Sequence, residues 1–228
     1  MSSPKFYKKS LATAVAAICL PVMSLGLVSQ SAQAEGVSAD LTIASMYLWR
    51  GLNVSGYQPV MQSNVQYDHS SGLYVGTWFS NEGALNSSYE IDLFAGYGGS
   101  SGDISYNAGL FGYYYPEATA SPKSTDIYEA VFNVGYKDYS VTAKINVEPD
   151  DFDDYKYFSL DGPAGPLSLH LGTTIQGDSD ANYSDVAVSY NFTDSLSWTV
   201  SYAFGNKIEE DSAAADPLIV VSYSVPLK

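Results

Sequence analysis

Ser195-Leu-Ser-Trp-Thr-Val-Ser-Tyr-Ala-Phe-Gly205 alternates without exception. Leu196, Trp198, Val200, Tyr202 and Phe204 fall on one side of an extended chain; Ser197, Thr199, Ser201 and Ala203 fall on the other. Successive side chains of a strand point to opposite faces, so this period of two predicts a strand with one apolar and one polar face. The pattern recurs along the chain. Val141, Ala143 and Ile145 oppose Thr142, Lys144 and Asn146; Leu167, Leu169 and Leu171 oppose Ser168, His170 and Gly172. Met61, Val65 and Tyr67 oppose Gln62, Asn64 and Gln66, and Ile91, Leu93 and Ala95 oppose Glu90 and Asp92, with Phe94 as an exception.

About twelve such runs are expected, near 40–50, 59–68, 72–81, 87–98, 102–115, 126–137, 139–148, 154–161, 166–176, 183–192, 195–205 and 217–227. No helical segment competes with them. The connections alternate between tight turns (His69-Ser-Ser71, Gly99–Ser101, Asp138, Gly162–Gly165, Thr193-Asp194) and longer links (Gly51–Gln58, Glu82–Asn86, Pro116–Thr125, Pro149–Asp153, Gly177–Asn182, Asn206–Asp216). Short turns at one end and longer loops at the other, on an even number of antiparallel strands, are the layout of a transmembrane β-barrel of the outer-membrane type. The expected fold is all-β, with short periplasmic turns and longer extracellular loops. Strands of about ten residues are long enough to cross the hydrocarbon layer when tilted.

Composition favours lipid outside and water inside. Of the 228 residues 46% are apolar and only 15% charged, against roughly 25% charged in a typical soluble domain. The polar faces are built mostly from Ser, Thr, Asn, Gln and Gly, which suits a narrow hydrated interior. Aromatics gather near strand ends (Tyr47, Trp49, Tyr67, Tyr74, Trp78, Phe79, Tyr89, Tyr97, Tyr113, Tyr114, Tyr115, Tyr155, Tyr157, Tyr190, Phe192), as interfacial girdles would. The net charge of −15 argues against a nucleic-acid partner held through phosphates. The expected partners are outer-membrane lipid, lipopolysaccharide and small hydrophilic solutes.

Residues 1–34 read as a cleaved signal peptide. Lys5, Lys8 and Lys9 precede an apolar run, Leu11 to Val28, broken by Pro21, and Ala32-Gln-Ala34 supplies a small-x-small cleavage site. An N-terminal membrane anchor fits less well because of Pro21 and that site. The only cysteine, Cys19, lies in this segment, so residues 35–228, the expected barrel, carry no thiol for a disulfide, a metal or a nucleophile.

The stretch Tyr47-Leu-Trp-Arg-Gly51, with Ser55, Pro59 and Gln62, then His69-Ser-Ser-Gly-Leu-Tyr-Val-Gly76 and Trp78-Phe-Ser-Asn81, resembles the N-terminal signature of the TorF family of porin-like proteobacterial outer-membrane proteins. The similarity is strongest over residues 40–115. It implies a barrel and a pore, and no substrate. The chain departs from many outer-membrane barrels at its end, Tyr223-Ser-Val-Pro-Leu-Lys228, where an aromatic terminus is usual.

The pore-lining candidates, assigned by parity, are Arg50, Glu90, Asp92, Glu129, Lys144 and His170, with Lys137, Glu148 and Lys156 beside them. Charged side chains in a pore set ion preference, and the excess of carboxylates predicts mild cation preference. Arg50 has a second reading, as a structural ion-pair partner of Glu90 or Asp92. Phe94, Phe111, Tyr113, Tyr115 and Phe158 could fill part of the interior, which leaves a non-conducting barrel with a structural or surface-interaction role as the alternative. A lipid hydrolase is third. His69, beside Asp68, Ser70 and Ser71, reads as a turn residue, His170 as a lumen residue, and no GxSxG-like motif supports either as a catalytic base. No catalytic residue, cofactor or metal site is expected: Asp178-Ser-Asp-Ala-Asn182 lacks the glycine and closing glutamate of a calcium loop, and the acidic run 148–154 reads as a solvated loop.

Overall fold

Among the described residues every strand of the main sheet is paired along both edges. The computed structural model describes residues 35–82, 89–116, 126–147, 155–177, 181–205 and 216–227. Twelve antiparallel strands close into one barrel: β1 (Gly36–Ala44), β4 (Val60–Asp68), β5 (Leu73–Ser80), β6 (Glu90–Ser101), β7 (Ile104–Tyr114), β8 (Asp126–Tyr136), β9 (Tyr139–Asn146), β10 (Lys156–Ala164), β11 (Leu167–Ile175), β12 (Tyr183–Asn191), β13 (Leu196–Phe204) and β14 (Leu218–Leu227). Sequential neighbours pair, and β1 closes on β14 with Ala39 opposite Leu227 and Ala44 opposite Ser222. Closure satisfies the backbone groups that an open sheet edge would leave bare in lipid. Two further strands, β2 (Leu48–Trp49) and β3 (Leu52–Asn53), form a separate small hairpin.

The faces sort as the alternation predicts. Leu93, Leu110, Phe132, Val141, Leu171 and Ile219 point outward and are exposed, while Gln62, Glu90, Asn133, Thr142, Ser189, Thr199 and Ser201 are buried inside. Outward aromatics pair at both rims. Tyr97–Tyr106 (6.3 Å) and Tyr190–Phe192 (5.3 Å) mark the short-turn end. Phe79–Tyr89 (6.5 Å), Tyr114–Tyr128 (5.9 Å) and Tyr202–Phe204 (6.0 Å) mark the other. An apolar belt between aromatic girdles is the surface a bilayer demands. Tyr47, Tyr74, Trp78, Tyr113, Tyr115 and Tyr157 are not in the girdles: all six are buried inside, and Trp49 packs against the interior cluster. Among the described residues no helix is long and apolar enough to cross a membrane.

Several expected boundaries move. β6 runs on to Ser101 and β10 to Ala164, so the turns fall at 102–103 and 165–166 instead of the glycines before them. The larger change is at the start. The predicted strand 40–50 ends at Ala44, where the last ladder partners are Val60 and Ser222. Residues 45–59 then turn into the barrel, because Met46, Tyr47 and Leu48 bury their side chains against Trp78, Phe94, Phe111 and Val131 instead of facing lipid. The acidic run 148–154 and the Asp178–Asp180 part of the calcium-like sequence lie outside the described residues.

Candidate functional site

The inserted segment is a hairpin with a two-residue tip. Trp49 pairs with Leu52 and Leu48 with Asn53, and the residues between, Arg50 (φ 48°) and Gly51 (φ 81°), are both left-handed. Two positive φ values in a two-residue loop define the turn whose twist matches a β-hairpin. Glycine adopts this conformation freely, but an arginine there costs about 1–2 kcal/mol. The base is tied by Ser55, whose hydroxyl accepts from the Tyr47 amide (2.9 Å) and donates to the Gln58 carbonyl (2.7 Å). Val54 N–H donates to the Tyr47 carbonyl at 2.9 Å.

The tip spans the lumen. On one side a Cβ added to Gly51 would stand 2.6 Å from Asp185 Cβ and 3.1 Å from Ala203 Cβ, so only glycine fits against the β12–β13 wall. On the other side Arg50 reaches β8, where its Nη2 donates to both Glu129 oxygens, at 2.7 and 2.8 Å. Glu129 also accepts from the Tyr113 hydroxyl at 2.7 Å. The guanidinium lies over three rings, Trp49 (4.5 Å), Tyr157 (4.6 Å) and Tyr155 (5.1 Å). It is 1% exposed, so this is a fully desolvated ion pair held by aromatic faces. Arg50 is therefore in the interior as expected, but on a turn and not on a strand, and its ion-pair partner is Glu129 instead of Glu90 or Asp92.

Two further clusters flank the tip. Glu90 accepts from the hydroxyls of Tyr47 (3.0 Å), on the hairpin, and Tyr115 (3.1 Å), just past β7. Asp92, two residues along the same face, is fully buried with no hydrogen-bond partner on either oxygen. Lys144 stands within electrostatic reach of Arg50, Glu129, Asp92 and Asp161. Deeper, His170 Nδ1 is 2.6 Å from Asp161 Oδ1, and its Nε2 is 2.7 Å from the Tyr157 hydroxyl and 3.0 Å from Asp185 Oδ2. Ser159 donates to the second Asp161 oxygen at 3.0 Å, and so not to the histidine. Gly172 makes this cluster possible, since a Cβ there would lie 2.1 Å from the Tyr157 hydroxyl and 2.3 Å from Asp185 Oδ1.

Thus Arg50, Glu90, Asp92, Glu129, Lys144 and His170 are all brought inside. Three neighbouring assignments are corrected. Lys137 lies in the exposed tight turn with φ 55°. Lys156 shares the outward parity of Phe158 and Leu160, at a strand end where a long ammonium chain reaches the headgroup layer. Phe158 accordingly faces out and does not fill the lumen, whereas Phe94, Phe111, Tyr113 and Tyr115 do. Glu148 lies outside the described residues. Asp161, Asp185 and Tyr157 were not among the candidates; the alternation Tyr157, Ser159, Asp161 against Phe158 and Leu160 is the signal that would have found two of them. His69 and Ser71 form a local turn, with the Ser71 hydroxyl 2.8 Å from Nδ1 and the Gly72 amide on the His69 carbonyl. Among the described residues no group of three His, Cys, Asp or Glu side chains is arranged to hold a metal ion.

The lumen is unequal around its circumference. The β5–β7 side is filled by Trp78, Phe94, Phe111, Tyr113 and Tyr115, with Phe94 and Phe111 stacked at 5.0 Å. The opposite wall, β11 to β14, presents Thr174, Ser189, Ser197, Thr199, Ser201 and Ser222.

Fold and site together define a transmembrane β-barrel with a polar, carboxylate-rich interior occupied by its own first long connection. The chain belongs to the family described as Bacterial protein of unknown function (Gcw_chp), whose profile matches residues 29–215. That span contains both stretches behind the TorF resemblance, under a different family description. No curated protein sequence matches. Among solved structures, the chain is similar to the outer membrane phospholipase A from Escherichia coli (12% identity, 85% of this chain and 92% of that one, TM-score 0.47). It is also similar to the KdgM porin in complex with disordered oligogalacturonate (10% identity, 85% and 99%, TM-score 0.44) and to the NanC porin (9%, 84% and 98%, TM-score 0.39).

Proposed function

We propose that the protein is a porin-like channel of the outer membrane, of the kind the TorF resemblance implies, that passes small hydrophilic solutes with a mild cation preference. The observation that carries this reading is the charge of the inner face. Asp40, Asp68, Glu90, Asp92, Glu129, Asp161 and Asp185 share the inward parity, against Arg50, Lys144 and His170. Inside low-dielectric walls such an excess attracts cations and repels anions. The hydroxyl wall of β11 to β14 supplies a route for hydrated solutes, and the hairpin 45–59 closes it in the conformation described. Cleavage after Ala34, contacts with lipopolysaccharide and the lack of catalysis belong to the same reading.

A second reading, a non-conducting barrel with a structural role, is favoured by one observation: the hairpin and the aromatic side together fill the interior. Conductance of the refolded chain in a planar bilayer separates the two. Stable current steps whose reversal potential shifts toward the cation value under a salt gradient support the channel. A folded barrel that never conducts refutes it.

A further inference from the structure

We infer that Glu90 and Asp92, with the hydroxyls of Tyr47 and Tyr115, form a binding site for a small monovalent cation such as sodium, lodged between the inserted hairpin and the barrel wall.

The Asp92 side chain is fully buried, and neither of its oxygens accepts a hydrogen bond. Burying a carboxylate that no donor reaches, beside a counter-charge it must share, is a costly arrangement for a folded chain. Its nearest like-charged neighbour makes matters worse, because Glu90 lies two residues away on the same inner face and is also buried. Glu90 at least accepts two phenolic hydrogens. The fixed cations do not balance the group: Arg50 is taken by Glu129, and Lys144 is shared among Glu129, Asp92 and Asp161. Arg50 and Lys144 face Glu90, Asp92 and Glu129, and Lys144 faces Asp161 as well, which leaves the Glu90–Asp92 pair short of counter-charge.

The donor set indicates which cation completes it. Carboxylate and phenol oxygens are hard ligands and select hard cations over transition metals. Two carboxylates are fewer than the three-acid groupings that hold a metal firmly, and no such grouping occurs among the described residues. A carboxylate pair short of counter-charge and a sparse oxygen set fit a weakly held, exchangeable monovalent ion. Because Tyr47 sits on the hairpin while Glu90 and Asp92 sit on β6, the bound ion would also fasten the hairpin to the wall. The site adds to the cation preference proposed above, yet it does not need the lumen to conduct.

The test is the unfolding equilibrium of the full barrel in detergent or vesicles, in sodium chloride against choline chloride at equal ionic strength. Choline hides its charge behind methyl groups that carboxylate and phenol oxygens cannot ligate closely, so it controls for screening. At sodium ten times its dissociation constant, the folded-to-unfolded ratio should rise about elevenfold relative to choline. Asp92→Asn should erase that difference, and Glu90→Gln serves if the first variant does not fold. Equal stability in both salts, as a proton shared by the two carboxylates would give, overturns the site, and so does a sodium effect that survives both substitutions. Sodium dependence without conductance would retain the site and sink the channel; conductance without sodium dependence would do the reverse.

Discussion

Glu129→Ala should open the barrel. Glu129 supplies both oxygens that Arg50 Nη2 holds at 2.7 and 2.8 Å, inside the lumen and away from solvent. Removing one partner of such a pair strands the other charge in a low-dielectric site, which costs about 3–5 kcal/mol. Arg50 can escape that cost only if the hairpin leaves the lumen. The Arg50 backbone, left-handed at φ 48°, contributes a further bias in the same direction. At about 1.4 kcal/mol per factor of ten, the equilibrium between withdrawn and inserted hairpin should shift by roughly a hundredfold to several thousandfold. Single-channel recording reads this directly as open probability. Arg50→Ala should also raise it, and Glu129→Ala added to Arg50→Ala should change little, because no buried cation remains to be stranded. If Glu129→Ala is as closed as the unaltered protein, or acts equally with and without Arg50, the latch does not exist.

Three other expectations follow from the same geometry. Gly172→Ala sets a methyl 2.1 Å from the Tyr157 hydroxyl, so it should destabilise the barrel by about 1–3 kcal/mol in urea unfolding; an unchanged midpoint would mean that the His170 cluster is not packed as described. Leu110, 61% exposed on the outer belt between Ala95 and Ala130, should tolerate arginine poorly, losing about 2–4 kcal/mol in vesicles, whereas a water-facing position would show no loss. Glu35 stands just before β1, where hydrogen bonds from Ser70 and Tyr67 hold its carboxyl below the ordinary carboxylate range. That contact stabilises the fold above the ordinary range and is lost as pH falls through the lowered value. Ser70→Ala should raise the Glu35 titration midpoint measured by NMR, and a midpoint that stays put would contradict it.

The barrel was legible because its strands face two solvents. Lipid selects one set of side chains and a hydrated lumen the other, so runs such as Leu196–Phe204 carry their orientation in every residue. The hairpin was not legible for the opposite reason. Tyr47, Leu48 and Trp49 are as suitable for a lipid-facing strand as for an interior, and Arg50 is an unusual residue at the first position of a turn that normally takes Asn, Asp or Gly. Only Gly51, bracketed by Trp49 and Leu52, hinted at it. Lys156 misled by its charge, since a strand end near the headgroups accepts an outward lysine. The charges that matter inside are visible one by one in the sequence, but which cation meets which carboxylate depends on the hairpin; the sequence leaves Arg50 either lining a pore or pairing with Glu90 or Asp92, and the fold pairs it with Glu129.

The most direct test of a hairpin-closed channel is to spoil the fit of the tip against the wall. A Cβ at position 51 would lie 2.6 Å from that of Asp185, on a backbone held at φ 81°, so Gly51→Val should expel the hairpin from the lumen. Recorded in a planar bilayer, the variant should be open for far more of the time than the unaltered barrel, in cation-preferring steps. Equal current from the two proteins, or none from either, would contradict the account.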